Sequence, residues 1–381
     1  MNLRVCPGFF PFFFEFNFMK RNILVLVTAL ITTCSWSQPK NKTENVILIT
    51  LDGMRWQEVF AGADLKIINN KEFTEDSVAL KKKFWKPTSE ERRKLLMPFL
   101  WNTIGTQGQL YGNRTKNNLV NVTNQMWFSY PGYNEILSGE ADDAHITSND
   151  KNDNPNVTIL EKINQQPAFK NKVATFTSWD CFPAIINSKR SGVLVNSGIE
   201  PYQDGKLNES QKLLNQLTSE LPFLGETRPD AITFHLGFEY LKQKSPSVLF
   251  LSFDETDHFA HEGKYDLYLQ SAYYTDEFIH QLWLWLQTQS KYKDKTTLII
   301  TTDHGRGDTR PDSWRHHGKK ELNCDQIWIA VIGPDTPPSG ERDRQEQHFQ
   351  NQVAATVARL LGLTSSITSE MGKEISEAIK K

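Results

Sequence analysis

The sequence predicts an α/β fold with a mostly parallel central sheet covered by helices on both faces, and three observations predict it. Short, continuous apolar runs recur along the chain (VILITL at 46–51, SVLFLSF at 247–253, TTLII at 296–300, QIWIAVIG at 326–333), each bounded by polar residues, as in strands buried on both sides. Between the runs lie segments with apolar residues three and four apart, so strands alternate with helices over most of the length. Two runs end in residues that bind ligands, Asp52-Gly53 and Asp303-His304-Gly305, which belongs to the carboxyl edge where open α/β sheets hold their ligands.

In chain order, the first 37 residues stand apart from the fold. From Met19 the chain reads MKRN, then the apolar run ILVLVTALITT, then CSWSQ, the charged, apolar and small-residue order of a secretory signal. That run is too short to remain across a bilayer, so no stable membrane span is expected once the signal is removed. An aromatic stretch precedes it, which places the true start at Met19, cleavage after Ser37, and a periplasmic or secreted product. Lipid attachment at Cys34 is the alternative, disfavoured by the bulk of Thr33.

Residues 38–381 read as one catalytic domain, because they hold no repeat, no low-complexity tract and no dividing linker. VILITL is the first buried strand. Residues 81–101 read as a loop carrying the basic run KKK and then a helix, with Thr88 or Ser89 as N-cap and acidic residues in the first turn. An aromatic segment leads to Ser129, Pro131 and Gly132, and NEILSG then has helical character. KVATFTSW is a strand, DCFPAIINSKR a helix, and ESQKLLNQLTSEL and PDAITFHLGFEYLKQK amphipathic helices. SVLFLSF, TTLII and QIWIAVIG return to the sheet, with the helix YDLYLQSAYYTDEFIHQLWLWLQ among them. QNQVAATVARLLGL is a last amphipathic helix, ended by Gly362.

A net charge of −2, with both signs mixed along the chain, gives no basic surface for nucleic acid. Beyond the signal only Cys181 and Cys324 remain, and a disulfide and two separate buried thiols are both open readings. The oligomeric state is not legible.

The chemistry gathers at four places. Asp52 ends a strand, and Gly53 lets the backbone turn closely behind it. Ser129 begins a helix after an aromatic turn, where a hydroxyl can act as a nucleophile if a divalent cation lowers its pKa. After SVLFLSF come two overlapping Asp-x-x-x-His pairs, Asp254 with His258 and Asp257 with His261; the second is preferred because Ala260 and Gly263 flank its histidine. Asp303 and His304 end TTLII, and the loop after them carries His316 and His317, of which His317, followed by Gly318, is the better ligand. Together Asp52, Asp257, Asp303, His261, His304, His317 and Ser129 supply mixed oxygen and nitrogen donors for two neighbouring divalent cations, zinc first and manganese next.

In order and context, LDG, the Ser129 turn, DHFAHEG, DHG and a later HG resemble the alkaline phosphatase superfamily, and most of all its nucleotide pyrophosphatase/phosphodiesterase branch. The resemblance implies an alkaline-phosphatase-like fold. It implies that Asp257, His261 and His317 hold one metal, while Asp52, Asp303, His304 and the Ser129 oxygen hold the other. It also implies hydrolysis of a small phosphate ester, monoester or diester, through a phosphoseryl intermediate. The branch commonly has a threonine in a T-F-P-N-H-Y-like turn, where this chain has SYPGYN; Asn134 is then the candidate second contact to a phosphoryl oxygen. Two alternatives remain. A sulfatase needs arginine where Tyr133 stands, and a secreted binding protein of the same fold would keep the ligands without turnover.

Overall fold

A computed structural model of the chain describes residues 41–221 and 225–380. The expected signal segment 1–37, with Met19 and Cys34, lies outside these residues. The strands are β1 (Asn45–Leu51), β2 (Gln109–Tyr111), β3 (Asn118–Asn121), β4 (Val173–Thr177), β5 (Leu194–Ser197), β6 (Val248–Phe253), β7 (Thr296–Thr301), β8 (Ile329–Ile332), β9 (Gly340–Glu341) and β10 (Glu346–Phe349). Eight of them form one sheet in the order β5-β4-β6-β1-β7-β8-β2-β9, and β10 pairs with β3 in a second. In the large sheet β8 alone runs against its neighbours β7 and β2, and every other pairing is parallel. The mostly parallel sheet expected from the apolar runs is the one observed.

Alternation along β1 explains why both faces need cover. Ile47, Ile49 and Leu51 enter one apolar core, beneath helices Asp230–Lys244 and Tyr265–Leu286. Val46 and Leu48 enter the other, beneath helices Ser129–Ser138 and Gln352–Leu360. Because β1 pairs in register with β6 and β7, Thr50 against Ser252 and Thr301, the segments after all three strands emerge side by side at one edge. Elsewhere in the core, Asp276 on the long helix accepts the N–H groups of Phe99 (2.7 Å) and Leu100 (2.9 Å), which anchors the turn of chain that follows Pro98.

Several local expectations need correction. The KKK run is not in a loop: Asp76 accepts the N–H groups of Val78 and Ala79 and starts the helix Ser77–Phe84, which contains Lys81 to Lys83. The following helix, Ser89–Leu96, starts as expected from Thr88, which forms a capping box with Glu91. DCFPAIINSKR is not one helix but two, Phe182–Ile185 and Ser188–Ser191, divided at Asn187, which has a φ of 47° and caps the second. Strands β2, β3, β5, β9 and β10 have no long apolar run behind them. Cys181 and Cys324 are free and buried. Among the described residues no helix is long and apolar enough to cross a membrane.

Candidate metal centre

Asp52 leaves β1 at the middle of the sheet, and Gly53, at a φ of +56°, turns the chain away behind it. Its carboxylate is 2% exposed. The Tyr133 hydroxyl donates to Asp52 Oδ2 at 2.9 Å, and the Gly53 N–H donates to Asp303 Oδ1 at 3.0 Å, so each acid offers its other oxygen inward. Asp303 and His304 follow β7 and are wholly buried. His304 Nδ1 lies 2.9 Å from the Gly305 carbonyl oxygen, which makes Nδ1–H the donor and leaves Nε2 with a lone pair. That Nε2 is 3.4 Å from Asp52 Oδ1 and 3.4 Å from Asp303 Oδ2.

Ser129 is the first residue of the helix Ser129–Ser138, and its Oγ lies 3.5 Å from His304 Nε2. Close packing brings it there. A Cβ on Gly132 would stand 2.3 Å from the Asp303 carbonyl oxygen, so only glycine lets the first turn lie against the Asp303 backbone.

The second group forms on the helix Glu255–His261, where a four-residue spacing sets Asp257 and His261 on one face. His261 Nε2 is 3.3 Å from Asp257 Oδ2 and 2.9 Å from His317 Nε2. His317 Nδ1 lies 3.2 Å from the Trp127 carbonyl oxygen, so its Nε2 also carries a lone pair. The His304 and His317 rings stack at 3.9 Å between centroids and join the two groups. Arg306, 1% exposed, donates to Asp257 Oδ1 from below.

Burial and then the neighbouring Asp257 charge push Asp52 well above the ordinary carboxylate range, and burial with Asp52 does the same to Asp303. Burial opposes the charge on Asp257 too, but the Arg306 guanidinium bonded to it holds that carboxyl below its usual range. Burial pushes His261 down to about 4, and burial with the nearby His304 pushes His317 well below the ordinary histidine value. The imidazoles of His261 and His317 are therefore neutral at neutral pH, the form that binds metals.

These donors fit divalent cations. Asp52 Oδ1 and Asp303 Oδ2 are buried and accept no hydrogen bond, an arrangement that costs free energy unless a positive charge lies among them and the His304 lone pair. Asp52, Asp303 and His304 offer ligand atoms within 4.8 Å of one another, and so do Asp257, His261 and His317. Carboxylate oxygens and imidazole nitrogens in threes suit first-row divalent ions.

The structure thus brings together seven residues singled out in the sequence, and of the overlapping pairs it is Asp257 and His261 that stand with His317. His258 lies outside both groups and faces Glu262 at 3.3 Å, and His316 is in neither group. Asn134 requires correction as a substrate contact. It is wholly buried, its Nδ2 donates to the Glu140 carbonyl at 3.0 Å, and its Oδ1 accepts from Asn154 and Asn156, each at 3.1 Å. Five residues along a helix turn the side chain about 140° away from that of Ser129. The carboxamide that does lie against the first turn belongs to Asn149, whose Oδ1 accepts the Tyr130 N–H at 2.9 Å. No spacing rule marks it in the sequence. Tyr133 and Arg306 were near recognisable motifs, but their aim depends on strands that meet only in the fold.

A family model described as type I phosphodiesterase / nucleotide pyrophosphatase matches residues 64–366. No curated protein matches the chain. Among solved structures, the chain resembles wild-type alkaline phosphatase PafA with a TM-score of 0.56 and 11% identity, over 90% of this chain and 100% of that one. It resembles the lipoteichoic acid synthase LtaP from Listeria monocytogenes with a TM-score of 0.54 and 11% identity, over 87% of this chain and 74% of that one. A 2-O GAG sulfatase matches with a TM-score of 0.52 and 11% identity, over 89% and 75% of the two chains. At such identities these likenesses establish the fold, which is alkaline-phosphatase-like.

Proposed function

We infer the reaction from one premise: the chain belongs to the type I phosphodiesterase / nucleotide pyrophosphatase family. It is a hydrolase of the alkaline phosphatase superfamily. We propose that it is a periplasmic or secreted, metal-dependent phosphodiester hydrolase, with Ser129 as nucleophile and Asp52, Asp303 and His304 beside Asp257, His261 and His317 as holders of two cations, zinc first. The observation that carries this reading is the meeting of the two donor groups at His304, whose Nε2 lies 3.8 Å from Asp257 Oδ1 and 3.5 Å from Ser129 Oγ.

When bound, two divalent cations would offset phosphoryl charge and lower the pKa of the Ser129 hydroxyl. Ser129 Oγ then attacks phosphorus in line as the ester oxygen departs, and water hydrolyses the phosphoseryl bond, with net retention at phosphorus. Helix packing through Gly132 sets Oγ in place before substrate arrives, so positioning supplies part of the rate. The Asn149 carboxamide, one residue from Ser129 by its bond to Tyr130, is the neutral donor proposed for a non-bridging oxygen.

Diesters are favoured over monoesters on charge. Arg306 is the arginine bonded to the Asp257 carboxylate; it is 1% exposed and its guanidinium is engaged by Gly53, Asp257 and Arg315 inside the fold, so it offers nothing to the second negative charge of a monoester. The sulfatase reading is disfavoured because Tyr133, standing where that turn needs arginine, is buried and bonded to Asp52.

Metal analysis with three substrates tests this. The purified chain is expected to carry two divalent cations and to hydrolyse bis-p-nitrophenyl phosphate faster than p-nitrophenyl phosphate, and p-nitrophenyl sulfate slowest. Ser129→Ala should abolish turnover with the metal content retained. An undiminished rate in that variant rejects the covalent route, and absence of hydrolysis of both phosphate esters rejects the enzyme.

A further inference from the structure

Arg306 is unusual in what it connects. Its Nε donates to the Gly53 carbonyl at 3.1 Å, its Nη1 to the Arg315 carbonyl at 2.8 Å, and its Nη2 to the Asp257 carbonyl at 3.3 Å and to Asp257 Oδ1. Every contacted segment carries a donor of the metal centre. Gly53 follows Asp52, Asp257 is itself a donor, Arg315 lies two residues before His317, and Arg306 lies two after His304. The socket is shaped for the guanidinium: a Cβ on Gly53 would meet Arg306 Nη2 at 2.6 Å and Nε at 2.8 Å. A second clamp continues the first, since Arg315 Nη2 donates to the His261 carbonyl at 3.2 Å.

We propose that Arg306 is a positioning residue that presets the Asp257, His261 and His317 group for its cation and leaves Asp257 one oxygen, Oδ2, to give it. This rests on the metal-centre reading above. Two effects oppose each other. A fixed positive charge beside the site repels an incoming cation, while a planar fork holding three backbone carbonyls fixes where the ligands stand. Only the arginine fork can span these acceptors together, because a lysine ammonium is a point donor. Partners that orient metal ligands typically govern affinity by about 10–100-fold, and here the partner joins four ligand-bearing segments, so placement outweighs repulsion.

Zinc titration of the metal-stripped full chain, by calorimetry and by metal count after gel filtration, tests this with Arg306→Lys and Arg306→Met. Both variants are expected to bind one of the two zinc ions about 10–100-fold more weakly and to retain about one per chain. Circular dichroism monitors the fold, and should Arg306→Met fail to fold, Arg306→Lys, which keeps the charge, carries the test. Wild-type affinity at both sites in Arg306→Lys, or tighter zinc binding in Arg306→Met, overturns the inference and leaves the metal centre standing. If the wild-type chain takes up no zinc or other divalent ion, the metal-centre reading falls and this inference with it.

Discussion

The Tyr133 hydroxyl donates to Asp52 Oδ2 at 2.9 Å while accepting from Ser252 at 3.0 Å, and Ser252 in turn accepts from Thr50 at 2.9 Å. This relay crosses β1 and β6 and fixes the carboxylate so that Oδ1 faces His304. Burial keeps the phenol well above its ordinary pKa, so it stays a donor. Tyr133→Phe keeps the ring against Phe182 but frees the carboxylate. Zinc affinity at the Asp52 group is expected to fall by about 10-fold, with a loss of about 1–3 kcal/mol in stability because buried Ser252 also loses its acceptor. Unaltered zinc titration would remove Tyr133 from this role.

Gly132→Ala tests the packing that delivers Ser129. The added methyl would stand 2.3 Å from the Asp303 carbonyl, against backbone that cannot swing aside. We expect a loss of about 1–3 kcal/mol in stability by denaturant titration. The fall in kcat should exceed what the unfolded fraction explains, because Ser129, the proposed nucleophile, shifts with the helix.

Asn149 and Asn134 separate by what they disturb. Asn149→Ala should lower kcat/KM by about 10-fold or more while the denaturation midpoint hardly moves. Asn134→Ala leaves buried Asn154 and Asn156 groups short of a partner and should cost about 1–3 kcal/mol, with kcat/KM of the folded fraction preserved. The reverse pattern would restore Asn134 as the substrate contact.

Burial pushes the Asp276 carboxyl up to about 8, although the Phe99 and Leu100 N–H groups pull it down. A carboxyl whose pKa is raised on folding holds its proton more tightly in the folded chain. Its contribution is fully present below the unfolded value near 4 and is lost as pH rises to about 8. Melting temperatures at constant metal loading should therefore decline between pH 5 and pH 8 by more in the wild type than in Asp276→Asn. Parallel pH profiles would show that Asp276 does not titrate in that window.

The parts of the fold legible in the sequence are those whose signal is local. β1, β6 and β7 are buried on both faces, so each shows a continuous apolar run, and acids or histidines directly after such a run must stand at the sheet's edge. That is why Asp52, Asp303 and His304 could be found, and why Asp257 and His261 needed only helical spacing in addition. β2 and β9 have three and two residues, and β2 takes its place from β8 and β9 from β2. Asn134 misled because nearness in sequence to Ser129 is not nearness on a helix. Arg306 and Tyr133 act across segments hundreds and tens of residues apart, which no window of sequence reports.

The reversal of β8 has a consequence for how such a catalyst can diversify. A crossover to a parallel strand would have carried the chain to the opposite side of the sheet. Returning antiparallel, the stretch between Thr301 and Ile329 begins and ends at the same rim, and it can lengthen or change composition there without disturbing strand order. His317 rides on that excursion while Asp303, His304 and Arg306 are anchored at its root, so remodelling beyond Arg306 would bear first on the His317 side of the candidate centre.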